Sequence, residues 1–360
     1  MNRPHTAPAA ALRTRWIAVA GCAPSAHNTQ PWQASPTATG VRLAVDPART
    51  LPAADPRHED LHLSLGCWVE ALAIAAAESG WTLQAGPVSG AGPELALDCR
   101  FTRTPATVPA GFTVRELRAR QVDRGRLLPD ARALDAAIAE FAVLPRRSDL
   151  AVAELPEPLF SGLRARAATQ VFSTPAMAAE TLDWLRLDPR DPAYRRDGLT
   201  ADCLRLPAGS RVLAPLLTGR AAPGTARVLA RVEPLARRAL GAAAGLAARP
   251  AAAAVLSGIG SAVPGGGAPP ARLVVTSDAP GSGADAAAGI ARGRDLLRLW
   301  LVLARHGLRV AVHSEIKDCP DTRAGLRAHL ARRGWEGEPC GVFSAGRSTS
   351  APPRAPRLPA

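Results

Sequence analysis

Signals for a helix, a strand, a second helix and a second strand occur in that order twice along the chain, once on each side of residue 110. Each series combines the 3.6-residue period of amphipathic helices with the two-residue alternation of strands. This arrangement predicts an α+β fold of two units, residues 1–110 and 111–347, followed by a tail at 348–360. Because the architecture repeats while the sequence does not, an old internal duplication is expected.

The periodicity also gives approximate bounds for the elements. In the first unit it predicts helices at 8–20 and from Asp55 to Gly80, the second opened by an Asp55-Pro56 N-cap, and strands at 40–45 and 95–101. In the second unit it predicts a helix from about residue 112 that carries a run of arginines. The later elements are then a strand at 149–154, a helix at 157–170, a strand at 272–276, a helix at 285–305, a strand at 308–312, a helix at 322–333 and a strand at 340–344.

Between about residues 174 and 270 the composition shifts to alanine, proline and arginine. Turn signals such as Arg195-Arg196-Asp197-Gly198 and Gly265-Gly266-Gly267 interrupt this region. We interpret it as an insert of helices in the position of a lid. The tail from residue 348 is rich in proline and arginine, so it cannot form a central strand, and we expect it to wrap over another surface.

The formal charge of +13 comes from arginine, since Lys317 is the only lysine among 44 lysine and arginine residues. These arginines are scattered and aromatic residues make up only 4% of the chain, whereas nucleic-acid surfaces usually combine a basic stripe with exposed rings. We therefore expect no nucleic-acid partner.

The sequence also bears on the compartment. We expect no membrane span, because apolar runs look shorter than the roughly 18 residues that a span needs. The apolar stretch before Cys22 is too short for a signal peptide, although Val19-Ala20-Gly21-Cys22 imitates a lipoprotein cleavage site. The six cysteines lack CxxC spacing, which indicates reduced thiols in a cytoplasmic protein.

The most specific motif is Ala23-Pro24-Ser25-Ala26-His27-Asn28-Thr29-Gln30-Pro31-Trp32, here called the ring motif. Its two inner prolines restrict the backbone, and between them a serine hydroxyl and two carboxamides present neutral hydrogen-bonding groups. Such groups suit the edge of a flat heterocycle. Ser25 has no adjacent base that would make it a nucleophile. The motif is therefore interpreted as the segment that binds a planar cofactor.

A second pattern is the run of arginines at positions 115, 118, 120, 124 and 126. On a helix, arginines four residues apart share a face, and two guanidinium groups so placed can clamp a phosphate. The alternative is a solvated face partly neutralised by Glu116 and Asp123. The turn Gly281-Ser282-Gly283 does not fit a dinucleotide fingerprint, so no Rossmann site is expected.

The pentapeptide His58-Glu59-Asp60-Leu61-His62 matches the HExxH pattern of zinc hydrolases, in which both histidines bind the metal and the glutamate acts as base. Asp60 places a charge where that pattern is normally uncharged, and no third histidine follows at the expected spacing. The apolar face of the helix predicts that Leu61 points inward while His58 and Glu59 face water. A zinc hydrolase is kept as a remote alternative to a solvated helix start.

Taken together, these segments resemble the FMN-dependent nitroreductase family, in particular its duplicated Acg-type branch, in which one chain carries two nitroreductase-like units. The resemblance spans nearly the whole chain. It rests on the ring motif, the run 46–52 before the helix with Gly66, Arg120 to Arg124, Asp197-Gly198-Leu199, Gly293-Arg294, Gly346-Arg347 and the segment 353–357. It implies a nitroreductase-like α+β fold with non-covalently bound FMN.

The resemblance also assigns residues. Ser25 and Asn28 correspond to the family's contacts to the isoalloxazine ring, with His27 and Gln30 nearby. The phosphate-binding arginines correspond to Arg120 and Arg124, and the assisting arginines near the C-terminus to Arg357 and Arg347. FMN needs neutral hydrogen-bonding groups beside its neutral ring and arginines beside its phosphate dianion, and these residues supply both. The chain departs from the family pattern at Gln121, Val122, Cys340, Ser344 and Leu358.

The implied activity is NAD(P)H-dependent reduction of nitro-aromatic, quinone-like or similar small planar acceptors, which requires no catalytic acid–base side chain. The alternative is a protein that sequesters FMN beneath the insert and reduces little. Because the ring motif occurs only in the first unit and the arginine run only in the second, we expect one FMN site per chain, built between the units. The chain would then be a monomer with pseudo-dimeric architecture, or a weak homo-oligomer.

Overall fold

The structure, a computed structural model, describes residues 7–104, 111–208, 268–277 and 285–359, together with residues 211, 224–225 and 227–228. Most of the expected insert and the turn Gly281-Ser282-Gly283 therefore lie outside the described residues. Residues 7–104 are called the first half here, and the described residues from 111 onward the second half. The fold is mixed α+β with antiparallel sheets, as the sequence predicts.

The first half forms a four-stranded antiparallel sheet in the order β1-β2-β4-β3, with helix α1 packed on the long helix α2. Its elements are α1 (Ala10–Ala20), β1 (Trp32–Pro36), β2 (Gly40–Val45), α2 (Glu59–Ala77), β3 (Trp81–Ser89) and β4 (Ala96–Arg103). The predicted helices and strands are present. Strands β1 and β3 were not predicted, because both are edge strands whose mostly exposed or half-buried residues give a weak alternation.

The second half contains a five-stranded antiparallel sheet, in which four strands follow the order β6-β9-β11-β10 and the two-residue strand β5 pairs with the end of β11. Apart from β5, the strands of both sheets follow the order first, second, fourth, third, and a long helix separates the second strand from the third along the chain. The elements are α3 (Val114–Ala119), β5 (Leu127–Leu128), α4 (Ala131–Val143), β6 (Ala151–Glu154), α5 (Glu157–Ser173), α6 (Pro175–Asp183), β7 (Leu185–Arg186), β8 (Leu199–Thr200), β9 (Ala271–Ser277), α7 (Ala286–Arg305), β10 (Arg309–Val312), α8 (Glu315–Asp318), α9 (Pro320–Ala331) and β11 (Glu338–Ser348).

Within residues 174–207 of the insert, helix α6 is accompanied by the two-residue strands β7 and β8, which pair in parallel. The expectation of inserted helices therefore holds for α6, while the residues that follow it up to 207 form short strands, turns and a 3-10 helix at Pro192–Arg195. Six cysteines lie within the described ranges and all of them are unpaired.

Helix α2 begins at Glu59, so the predicted N-cap at Asp55-Pro56 is wrong. A turn intervenes, in which the amide of His58 donates to the Asp55 carbonyl and His58 itself takes a left-handed backbone with φ 57°. The Asp55 carboxylate instead accepts a hydrogen bond from the Leu61 amide at 2.9 Å. Asp55 therefore satisfies the first turn of the helix from the preceding loop.

Helix α3 ends at Ala119, so Arg120 and Arg124 do not share a helix face as predicted. Val122 forms a parallel bridge with Val310, and the Asp123 amide donates to the Val310 carbonyl at 2.9 Å. These contacts to β10 hold the segment in an extended form, and tertiary structure overrides the local helix signal. Both arginines belong to the loop that joins α3 to β5.

The two long helices, α2 and α7, form the centre of the molecule. Their backbones meet at Gly66 and Gly293, where a Cβ on Gly66 would lie 2.2 Å from the Ile290 carbonyl oxygen. Buried Glu70 of α2 also accepts from Arg294 of α7 at 2.8 Å. This close contact brings the two halves of the chain together along one seam.

Among the described residues, α2 is the one helix long and apolar enough to cross a membrane by length and composition. The expectation that no apolar run reaches that length is therefore wrong. Most of α2 is buried against α1, α7 and the first sheet, which is the position of a core helix.

Candidate functional site

Both halves line a cavity of about 860 Å³. This volume lies toward the upper end of the ordinary range for small-molecule pockets. The first half contributes residues 24–28 and the start of α2, and the second half contributes the loop after α3, the helices α5 to α8, β11 and the tail. From the insert, the walls include Met177, Thr181, Leu199 and Cys203. The ring motif and the arginine loop, about a hundred residues apart in sequence, thus face the same space.

The ring motif has an unusual backbone. His27, Asn28 and Gln30 all have positive φ angles, of 47°, 56° and 54°. Residues with a Cβ rarely adopt this conformation, and each such residue costs of order 1 kcal/mol or more. The Ser25 hydroxyl accepts the Gln30 amide at 2.9 Å and so closes the turn. Strain concentrated in one short segment that lines a cavity is characteristic of functional sites.

The two carboxamides of the motif hold the protein's own chain. Asn28 lines the cavity, but its Nδ2 donates to the carbonyls of Gly198 and Pro356 at 3.1 and 3.0 Å. Gln30 is 1% exposed and does not line the cavity, because its Nε2 donates to the Arg196 carbonyl at 2.8 Å and its Oε1 accepts from Leu358. These amides fasten the insert and the tail to the ring motif.

Arg120 is a buried arginine in the cavity wall. Its side chain is 4% exposed, yet Nε and Nη1 have no hydrogen-bond partner, and Nη2 reaches only the Cys22 carbonyl at 3.4 Å. Burial and the neighbouring Arg357 lower the pKa of Arg120 to about 10. A buried guanidinium with free donors is costly unless an anion meets it, and the chemistry of Arg120 therefore suits an anionic group.

Five further arginines line the same cavity, and Arg124 and Arg357 are the two among them that the family resemblance selects. Arg357, from the tail, donates to Asn28 Oδ1 and, at 3.1 Å, to the Cys22 carbonyl, so Arg357 and Arg120 share one acceptor. Burial lowers the pKa of Arg124, and the carboxylate of Glu315 opposes that effect. Arg347 lies elsewhere, because its exposed guanidinium binds Asp130 outside the cavity. The cavity therefore combines three of the four arginines that sequence reasoning selected.

His27 also faces this space, and its Nδ1 is buried without a partner. Burial and the charge of Arg124 lower the pKa of His27 to about 4. The imidazole is therefore neutral at physiological pH, when it can donate through one nitrogen and accept through the other.

Sequence reasoning missed a second charged wall. Lys317 lines the cavity with Asp60 and Asp318, and its Nζ lies 2.8 Å from Asp60 Oδ1 and is hydrogen-bonded to Asp318. Glu315, one turn away on α8, faces the same space. The available signal was that Lys317 is the only lysine in an arginine-rich chain.

The HExxH pentapeptide does not form a metal site. His58 precedes the helix, Glu59 pairs with Arg323 at 2.7 Å, and His62 is buried with its Nε2 unpartnered. The described part of the chain contains no group of three or more His, Cys, Asp or Glu side chains that could hold a metal ion. The expectation that Glu59 faces water is wrong, since Arg323 of α9 covers it.

Behind the cavity, His313 is hydrogen-bonded to Ser344 Oγ at 2.9 Å and lies 3.7 Å from Glu315. A histidine between a serine and an acid is the arrangement of a Ser–His–acid catalytic triad. Arg272 also donates to Ser344 Oγ at 2.5 Å, and neither Ser344 nor His313 lines the cavity. A hydroxyl so enclosed cannot reach a substrate, and the group acts as a buried polar network.

No protein-family model matches the chain, and no curated protein matches it. The residues of the site are a neutral ring motif with a strained backbone, three arginines selected from the sequence and a wall of lysine and aspartates around one cavity.

Proposed function

We propose that the cavity binds FMN and that the protein is a nitroreductase-like oxidoreductase, which reduces small planar acceptors with NAD(P)H. One observation carries the proposal. The ring motif and three arginines from distant parts of the sequence line a single cavity, and the most buried of those arginines, Arg120, has unpartnered donors. A neutral planar ring joined to a phosphate dianion has the complementary chemistry.

The residues present fit this cofactor. Arg120, Arg124 and Arg357 would hold the phosphate, while Ser25, His27 and Asn28 would lie beside the ring. Gln30 supports the motif from behind, and Arg347 has no part in the site. FMN, when bound, supplies the two-electron chemistry between a nicotinamide donor and an acceptor. The task of the chain is to position the ring, to neutralise the phosphate and to exclude water.

The proposal extends to architecture: we infer two nitroreductase-like units that arose by duplication. Two features support this. The two sheets share strand order and antiparallel pairing, and the long helices meet at equivalent glycines, Gly66 and Gly293. In a duplicated pair the ring motif of one unit and the arginines of the other would build a single complete site.

Anaerobic reduction tests the activity. The purified full chain is loaded with FMN, freed of excess cofactor, and mixed with NADPH or NADH while the absorbance of the flavin near ~450 nm is followed. Bleaching, followed by recovery of the band when a quinone is added, is the expected result. A chain that does not retain FMN would overturn the proposal.

A second candidate function, sequestration of FMN, is favoured by the contacts that cover the cavity. Asn28 and Gln30 fasten the tail and the loop at 196–198, and Pro353, Ala355 and Arg357 of the tail form part of the wall. A cover held this way would keep nicotinamide away from the ring.

Truncation of the tail separates the two candidates. A chain that ends at Ser350 loses the tail wall and Arg357, but keeps all of β11. If the protein sequesters FMN, the intact chain bleaches slowly and the truncated chain bleaches much faster. If it is a reductase, the intact chain already bleaches quickly, and truncation only weakens retention of FMN.

A further inference from the structure

Lys317 occupies a singular position. It is the only lysine of the chain, its side chain is 1% exposed, and it lines the cavity together with Asp60 and Asp318. The charges of Asp318 and Asp60 outweigh burial and raise the pKa of Lys317, so its ammonium stays charged at this wall. A protonated lysine and its carboxylate neighbours therefore form one buried charged group.

The buried carboxyl of Asp55 completes what we call the lysine–aspartate cluster: Asp55, Asp60, Lys317 and Asp318. Asp60 and Asp318 are ion-paired to the Lys317 ammonium, and the charges of Asp60 and Lys317 also act on the nearby Asp55 carboxyl. Three carboxyl groups and one ammonium leave excess negative charge in a medium of low dielectric. Burial and the charge of Asp60 raise the pKa of Asp55 to about 7, and burial raises the pKa of Asp318. The cluster therefore retains an exchangeable proton at neutral pH, shared among its members.

The surroundings do not cancel this charge. On α2, Glu59 is neutralised by Arg323 of α9, whose guanidinium also reaches the Lys317 carbonyl at 3.4 Å. His27 of the ring motif is neutral, because burial lowers its pKa to about 4. Burial raises the pKa of the Cys340 thiol on β11 to about 11, and Glu315 of α8 lies toward His313. Lys317 is the cation that is ion-paired to the Asp60 and Asp318 carboxylates.

Lys317, Asp60 and Asp318 line the same cavity as the buried and unpartnered guanidinium of Arg120, so a ligand held by Arg120 shares its space with the cluster. We propose that the lysine–aspartate cluster donates the proton that is consumed when an acceptor is reduced in the cavity. This inference rests on the proposed function and adds a proton donor to it.

The balance of the reaction requires such a donor. A nicotinamide supplies a hydride, which brings two electrons and one proton. A quinone needs one more proton to become a hydroquinone, and a nitro group needs one more to lose an oxygen as water and become a nitroso group. The cluster gives that proton across the cavity wall formed by Lys317 and Asp318, and afterwards takes a proton from solvent.

The test uses Asp318→Asn in the full chain loaded with FMN. Reduction by NADPH should proceed at the wild-type rate, because the hydride comes from the nicotinamide. Reoxidation by benzoquinone should be roughly 100-fold slower, the ordinary contribution of a positioned acid. Wild-type reoxidation should also slow as the pH rises from 6 to 8, while the variant should lack this dependence. Asp98→Asn, an exposed aspartate of β4 paired with Arg42, is the control and should behave as wild type.

A second measurement needs neither cofactor nor turnover. The infrared spectrum of the protein alone should contain the carbonyl band of a protonated carboxyl group at pH 6, which weakens by pH 9 and is reduced in Asp55→Asn. This variant keeps an oxygen to accept the Leu61 amide, so it should fold.

The outcomes are distinct. A wild-type reoxidation rate and pH dependence in Asp318→Asn, or the absence of the carboxyl band from the wild-type protein, would overturn the proton donor and leave the proposed function intact. A wild-type chain that cannot retain FMN would overturn both. Slow reoxidation with normal reduction in Asp318→Asn supports the proton donor.

Discussion

Individual residues at the cavity are held in states that are unfavourable without a ligand. Three residues of the ring motif have left-handed backbones, and Arg120 is buried with two unpartnered donor atoms. Stability alone selects against both features, because strain and unsatisfied charge each cost free energy. Their coincidence at one cavity is the residue-level argument for a bound anion.

Replacement of Arg120 by glutamine should weaken FMN binding by roughly 10- to 100-fold, since a hydrogen bond to a charged group contributes about 1.5–3 kcal/mol. Fluorescence quenching of FMN during titration with the full chain measures this. Arg42→Gln on the exposed face of β2 is the matched control, and its affinity should equal that of wild type. Equal affinity of Arg120→Gln and wild type would remove Arg120 from the site.

His62 should make the protein sensitive to acid. Burial and His58 lower the pKa of His62 from 6.5 to about 4, so below pH 6.5 the unfolded chain binds a proton that the folded chain does not. The free energy of unfolding should therefore fall by about 2 kcal/mol between pH 7 and pH 5 on account of this group. Urea denaturation at both pH values measures the free energy of unfolding. Its decrease from pH 7 to pH 5 should be about 2 kcal/mol smaller in His62→Gln than in the wild-type protein. Identical drops in the two proteins would contradict the assignment.

Sequence reasoning found part of the site. Ser25, His27, Asn28, Arg120, Arg124 and Arg357 do line one cavity, because residue chemistry and a family pattern are readable from sequence. The internal partners of the Gln30 carboxamide were not readable, since they are carbonyls and amides about 170 and 330 residues away. Lys317 was missed because its aspartate partner Asp60 comes from a helix far away in sequence.

At the scale of elements, the junction of α2 and α7 determines whether the cavity exists. The two helices approach at Gly66 and Gly293 so closely that their backbones touch, and each carries residues of the cavity wall. Any side chain at this crossing would force the helices apart and displace the ring motif from the arginine loop.

Gly66→Ala should therefore destabilise the protein by about 2 kcal/mol or more, because the added Cβ meets backbone atoms that cannot move aside. Gly162→Ala, in the exposed part of α5 where nothing lies within 4 Å, should instead stabilise it by about 0.5–1 kcal/mol. Thermal unfolding of the two variants should shift in opposite directions. A shift of the same sign in both would contradict the close approach of the helices.

Most elements with a buried face were predictable, but helix α4 was missed although Ala133, Ala137 and Phe141 give it a buried face. Helices α2 and α7 have apolar faces that sequence periodicity reveals, and β9 contains the apolar run Leu273-Val274-Val275. The edge strands β1 and β3 lack such a pattern. The end of α3 depends on the pairing of Val122 with Val310, a contact between residues 188 positions apart that no local signal contains.

At the scale of the whole molecule, two halves with the same strand order enclose one cavity with two unlike walls. The ring motif comes only from the first half and the arginines only from the second, so a symmetric second site would lack both. Asymmetry of this kind is expected when a duplicated pair retains one site.

The stoichiometry of FMN binding tests this account most directly. Equilibrium dialysis of the purified full chain against FMN, with protein concentration determined by amino-acid analysis, measures the number of bound molecules per chain. The account predicts saturation at one FMN per chain, and markedly weaker binding in Arg120→Gln. Two equivalent molecules per chain, or no binding, would contradict it.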